Sequence, residues 1–389
     1  MLRWLLAAAL LPAAFGQSQS GPAKWTLQYF YDQDGKDLRI TDLAFPSATR
    51  GIAVGAIVDR EGRKPQFTAL TTSDGGDHWS LAPLKEFPRS LFFLDESTGW
   101  LVTSEALWFT SEGGRNWTRL SDQIKPDKKL ANAPHTGLIL RVWFLDAHHG
   151  YAVGLQKSVF ETSDGGRTWK PVAEAAKPSA NPAFSAYSHI AFTDAKRGVI
   201  FGVYTPPRPG AKSDEDLPDW MFPERALALR QQPRLAIELD TRDGGVTWGS
   251  GTAPLLGSVV SLELAGGNGL AVFGYADSFE WPAEVYRLDL TTGKSESVFK
   301  QKERRVTDAT IFADGRAFLA AVEPPGRLRS APIPGKVRML TSTDLKNWVE
   351  MPVDYHAVAQ SVVLAGPDAG HLWAATDTGM ILRLSDLSH

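Results

Sequence analysis

Ser163-Asp164-Gly165-Gly166-Arg167-Thr168-Trp169 is one copy of a string that returns along this chain. Ser73-Asp74-Gly75-Gly76-Asp77-His78-Trp79 precedes it, and Arg242-Asp243-Gly244-Gly245-Val246-Thr247-Trp248 follows it. Two further copies are eroded. Ser111-Glu112-Gly113-Gly114-Arg115-Asn116-Trp117 has Glu in place of Asp, and Thr343-Asp344-Leu345-Lys346-Asn347-Trp348 has lost both glycines. A motif repeated in this way marks a repeat architecture, so the fold is read from its period before any single residue. The turn chemistry is local. The carboxylate accepts backbone N–H groups, glycine tolerates positive φ, and the Trp opens the next strand with a large apolar surface.

A second pattern lies upstream of these turns. Leu43-Ala44-Phe45 leads to Gly51-Ile52-Ala53-Val54-Gly55, and Leu91-Phe92-Phe93 leads to Gly99-Trp100-Leu101-Val102. Val142-Trp143-Phe144 leads to Gly150-Tyr151-Ala152-Val153-Gly154, and Ile190-Ala191-Phe192 leads to Gly198-Val199-Ile200-Phe201-Gly202. Weaker versions precede Gly269, Gly315 and Gly370. These glycines, read as turn residues, define seven units, most of them about fifty residues apart, which suits one four-stranded blade each. The expected fold is all-β, a seven-bladed β-propeller. The strands run apolar instead of alternating because both faces of a blade meet another blade.

The chain ends carry a closure signal. The seventh unit has Ser361 to Ala365, Leu372 to Thr376 and Met380 to Leu384 but no fourth strand, and Trp25 to Tyr29 opens with the same Trp that follows the acidic turns. The last blade is therefore expected to be closed by this N-terminal strand, which leaves no open sheet edge.

The 389 residues are 43% apolar, and their formal net charge is −3. Segment 1–16 reads as a secretory signal, with Arg3, the apolar stretch Trp4 to Ala14 and the small-residue site Ala14-Phe15-Gly16. Residues 17–389 then form a single propeller with an insert at 204–235 in blade four. The apolar run is too short to span a bilayer, and no basic cluster points to nucleic acid. The sequence contains no cysteine, which excludes disulfides, a thiolate metal site and a lipid-modified cysteine anchor. A monomer exported to the periplasm or outside the cell is expected.

The apolar strand, the Gly-aromatic-Ala-Val-Gly strand and Thr162 to Trp169 together resemble the BNR or Asp-box propellers, in particular the branch related to the photosystem II stability and assembly factor. The likeness covers nearly all of the chain after the signal and is strongest between Leu140 and Lys170. It implies a seven-bladed propeller that acts by binding a partner. It also implies that the Asp boxes (Asp74 with Trp79, Glu112 with Trp117, Asp164 with Trp169, Asp243 with Trp248, Asp344 with Trp348) sit at the blade periphery, away from the ligand face. One carboxylate beside two glycines offers too few oxygens for a calcium cage, so the boxes are read as structural.

Long segments fall in the connections on the face where inner strands begin: Asp59 to Gln66, Ser121 to Thr136, Tyr204 to Gln232 and Glu323 to Lys336. Surface insertions cost little stability, so their gathering on one face points to a binding surface. Within the largest, Thr205 to Gly210 is Pro-rich, and Trp220-Met221-Phe222 precedes a possible short helix. Near the starts of inner strands stand Arg39, Asp42, Arg89, Arg141, His189, Arg305 and Asp308, an arginine-rich funnel suited to acidic protein segments or carboxylates. The expected function is a non-enzymatic scaffold that binds a protein or glycan partner without cofactor or metal.

The alternative is a glycoside hydrolase of sialidase-like or xyloglucanase-like type, since those enzymes also carry Asp boxes. Arg39-Ile40-Thr41 only brushes the sialidase Arg-Ile-Pro motif, and Asp42 with Asp308 is the one carboxylate pair to propose across a glycosidic bond. His148-His149 occupies a turn and lacks a third ligand, a poor zinc site.

Overall fold

The computed structural model describes residues 23–33, 35–59, 64–129, 137–206, 234–255, 257–275, 281–323 and 334–385. The signal assigned to 1–16 lies outside them, as do 60–63, 130–136, 207–233 and 324–333 of the four long connections.

Seven antiparallel sheets form around a common axis, six of four strands and the sixth in chain order carrying a short fifth. Their inner strands are Lys36–Ala44, Pro88–Phe93, Ile139–Phe144, Ser185–Phe192, Ser258–Ala265, Arg305–Ile311 and Val362–Asp368. The order within each blade is sequential, so chain direction alternates and connections after the first and third strands share one face. In blade three the Gly165 N–H donates to the His148 carbonyl at 2.9 Å, which ties the Asp box to the first turn on that face.

The core is not a single mass. Buried apolar residues fall into separate clusters, one between each pair of neighbouring blades. Ile52 and Val54 meet Leu101 between blades one and two, Trp100 and Val102 meet Phe144 between two and three, and Leu38 and Ala53 meet Trp373 between one and seven. A strand that contributes to two such clusters must be apolar on both faces, which accounts for the absent alternation.

Closure is as expected. Trp25–Phe30 pairs antiparallel with Met380–Leu384, with Trp25 opposite Leu384 and Phe30 opposite Met380. Trp25 is 1% exposed, and it reaches across to blade six, where its N–H donates to the Pro352 carbonyl at 2.8 Å.

The Asp box is a closed hydrogen-bond unit. In blade three, Thr162 Oγ1 donates to Asp164 Oδ1 (2.8 Å) and accepts the Gly166 N–H (2.9 Å), while Asp164 Oδ1 accepts the Thr168 N–H (2.9 Å). Gly165 and Gly166 have φ of 76° and 95°, a region costly for other residues. In the eroded box Leu345 takes φ of 58° instead, with its side chain buried. These bonds hold the Asp164 pKa down to about 2, the Thr168 hydroxyl and N–H contributing most.

The box also latches blades together. Trp100 of blade two stacks on Phe144 of blade three at 3.7 Å, and its indole N–H donates to the Gly165 carbonyl at 3.0 Å. Trp373 repeats this on Phe45 with Gly75 (3.1 Å), and Tyr151 on Phe192 with Gly244 (2.7 Å). The expectation of turn glycines holds at Gly315 and Gly370, which lie between strands, and needs correction at the others. Gly150 is the first residue of an extended strand, and a Cβ on it would lie 2.5 Å from the Phe144 ring. Gly51, Gly99 and Gly198 leave the same room for Phe45, Phe93 and Phe192.

Candidate functional site: the central channel and its mouth

Six inner strands slip register at one level: between Ile40 and Asp42, Pro88 and Ser90, Ile139 and Arg141, Tyr187 and His189, Val259 and Ser261, and Val306 and Asp308. Each slip is a bulge that inserts one residue and re-aims the next. The residues after the bulges, Asp42, Ser90, Arg141, His189, Ser261 and Asp308, line a channel cavity of about 330 Å³ together with Glu263, Phe92 and Trp143.

Most of these polar groups are spent on neighbouring blades. Asp42 accepts the N–H of Leu43 (3.0 Å) and, across to blade two, of Leu91 (2.8 Å). Asp308 accepts Ala309 N–H (2.9 Å), the Ser261 hydroxyl from blade five and Leu364 N–H (2.7 Å) from blade seven. Ser90 donates to the Leu140 carbonyl (2.9 Å), and Thr307 to that of Val362 (3.2 Å). His189 bridges to the Val260 carbonyl through Nε2 (3.1 Å), which assigns the proton to that nitrogen. Burial, with Arg141 nearby, pushes His189 down to about 3, so it is neutral.

The remaining titrations follow from the same enclosure. Burial raises Asp42, opposed by Arg141 and the two N–H groups. Burial lifts Asp308 to about 6 against the pull of its three hydrogen bonds and Arg141. Glu263 is exposed to the channel, where the surrounding walls and the Asp308 and Asp42 carboxylates push it up to about 8 against the pull of Arg141, a shift that channel water weakens. A carboxyl held neutral by the fold supports folding below its unfolded pKa of about 4.3, and that support is lost as pH climbs to its folded value. Melting temperature should therefore fall as pH rises through this window to about 8, and Glu263→Gln should flatten the fall. An identical slope in the variant would show that Glu263 titrates normally.

The arginine-rich funnel is not what the ring assembles. Of the expected set, Asp42, Arg141, His189 and Asp308 meet in the cavity, whereas Arg39, Arg89 and Arg305 do not line it. Arg89 is itself a bulged residue, and its guanidinium donates to the carbonyls of Gly137 (2.8 Å) and Ile139 (2.7 Å) in blade three. Arg39 is exposed and Arg305 half-buried, each two residues before its bulge. The carboxylate oxygens of Asp42 and Asp308 are engaged by backbone N–H groups, a clamping geometry and not that of a free acid and base. Glu263 was not foreseen. Its signal was a charge three residues after the Val260 bulge, where the other five bulged strands carry Ala44, Phe92, Trp143, Ala191 and Thr310.

Among the described residues no group of three His, Asp or Glu is placed to hold a metal. No described helix is long and apolar enough to cross a membrane.

Comparison with known proteins adds to this. Residues 127–203 match the family model described as photosynthesis system II assembly factor YCF48. A stretch of 38 residues is 50% identical to photosystem II assembly protein Ycf48 of Thermosynechococcus vestitus, covering 10% of this chain and 11% of that protein. The match thus spans about a tenth of the relative's length. The solved structure of YCF48 bound to D1 peptide superposes with TM-score 0.57 at 15% identity over 95% of this chain and 98% of that one. YCF48 from Cyanidioschyzon merolae gives 0.55 at 14% over 93% and 98%. At these identities the structural likeness establishes the fold alone. Together with the sequence matches it supports the resemblance, drawn from the motifs, to the photosystem II assembly factor-like Asp-box propellers.

Proposed function

We propose that this chain is an exported, non-enzymatic scaffold that holds a segment of a partner protein on the face where inner strands begin. The observation that carries this reading is the match over 127–203, which takes in blade three and the inner half of blade four. That stretch borders the long connection between Tyr204 and Arg234. Other long connections open on the same face, whereas the Asp-box side has short turns closed by their own hydrogen bonds. A YCF48 has been solved holding a D1 peptide, which makes an extended protein segment the partner to test first. Export rests on segment 1–16, and N-terminal sequencing of the mature protein should begin at Gln17.

The test is fluorescence anisotropy with a labelled D1 peptide. Reversing Arg39 and Arg305 to Glu should weaken an acidic segment at least tenfold if those charges are desolvated on binding, since such losses run to about 2–5 kcal/mol. Asp164→Asn should lower melting temperature and leave affinity unchanged. Affinity that follows Asp164 and ignores the arginines would place binding on the opposite face.

A further inference from the structure

We propose that the central channel binds a small zwitterion of amino-acid size, with its carboxylate on the Arg141 guanidinium and its ammonium on the Glu263 carboxyl. Most polar side chains of the channel wall are partnered within the ring, the Ser361 hydroxyl excepted. Thr41, Asp42, Ser90, His189, Ser261, Thr307 and Asp308 all spend polar atoms on bonds within the ring. Arg141 and Glu263 are the two charged groups that stand apart. Both are exposed to the channel, and among the described residues neither side chain makes a hydrogen bond or an ion pair, yet both line the cavity and each lies within electrostatic reach of the other.

The cavity of about 330 Å³ has room for roughly eleven waters at about 30 Å³ each, enough for one small amino acid and too little for a folded segment. Phe92 and Trp143, whose rings lie 5.1 Å apart, supply an apolar wall for a short side chain. Charge selects the class. A lone anion that sought Arg141 would meet the Asp42 and Asp308 carboxylates, and a lone cation that sought Glu263 would meet Arg141. A molecule with both charges satisfies both groups at once through charge-assisted hydrogen bonds.

Binding should also move a proton. The groups that face Glu263 are Asp308 from blade six, Asp42 from blade one, Arg141 from blade three and neutral His189 from blade four. An ammonium brought to Glu263 favours its ionised form, so a proton leaves the site to buffer at neutral pH.

The experiment is isothermal titration of the purified full chain with glycine and L-alanine, with acetate and methylammonium as single-charge probes, in two buffers of different ionisation enthalpy. The amino acids should bind with buffer-dependent heat, the single-charge probes should not, and Arg141→Gln and Glu263→Gln should each lose on the order of tenfold or more. Arg141→Lys keeps the charge and should retain part of the affinity, which separates lost binding from lost folding. Acetate or methylammonium binding as well as glycine, or no amino acid binding at tens of millimolar, would overturn the proposal. The site lies inside the ring, so its failure would leave the scaffold reading standing.

Discussion

Deleting residues 17–31 should yield a chain that aggregates or melts far below the intact protein. The deletion removes Trp25–Phe30, the fourth strand of blade seven, and exposes the edge of Met380–Leu384, whose Met380, Ile381, Leu382 and Leu384 are buried in the closed ring. An unpaired apolar edge of this kind templates association with another chain. Two core clusters are opened as well. Trp25 is fully enclosed between blades six and seven, and Tyr31 is buried between seven and one. Trp25→Ala isolates the side-chain share. Truncating a buried Trp typically costs about 3–5 kcal/mol, which for a domain of this size lowers melting temperature by on the order of 4–6 °C. The deletion should cost more than the point variant, because it also forfeits the strand's ladder and the bonds to Pro352 and Asp354 in blade six. A deletion variant with an unchanged melting curve would refute the shared blade.

What could be read from the sequence, and what could not, divides along a physical line. The Asp boxes were legible because their chemistry is local: Thr162, Asp164, Gly166 and Thr168 bond to one another within seven residues. The closing strand was legible because Trp25 repeats the residue that follows each box. The partners across blades were not. Nothing in the order of residues says that Trp100 stacks on Phe144 and donates to Gly165, because those contacts join separate repeats. Gly150 was read as a turn residue when its role is to leave space for Phe144.

The channel was misread for a related reason. A bulge shifts the two-residue alternation by one, so side chains after it point where a regular strand would not send them. Asp42, Arg141 and Asp308 follow their bulges and enter the cavity; Arg39 and Arg305 precede theirs, and Arg89 is one. An alignment of the repeats on the bulge position would have singled out Glu263 as the one charge in an otherwise uncharged column.

The scaffold reading stands or falls on which face meets a partner, and site-specific photo-cross-linking in cells that make the protein measures this directly. Tyr355 and Val246 make a matched pair, 80% and 83% exposed. Tyr355 lies in the connection from the outer strand of blade six to the inner strand of blade seven, on the long-loop face, and Val246 lies in the Asp box of blade four, on the other. With a photo-reactive residue at each position in turn, and at Gln156 as a second long-loop position, discrete protein adducts are predicted from Tyr355 or Gln156 and none from Val246. Adducts confined to Val246, or none from any of the three, would contradict the account.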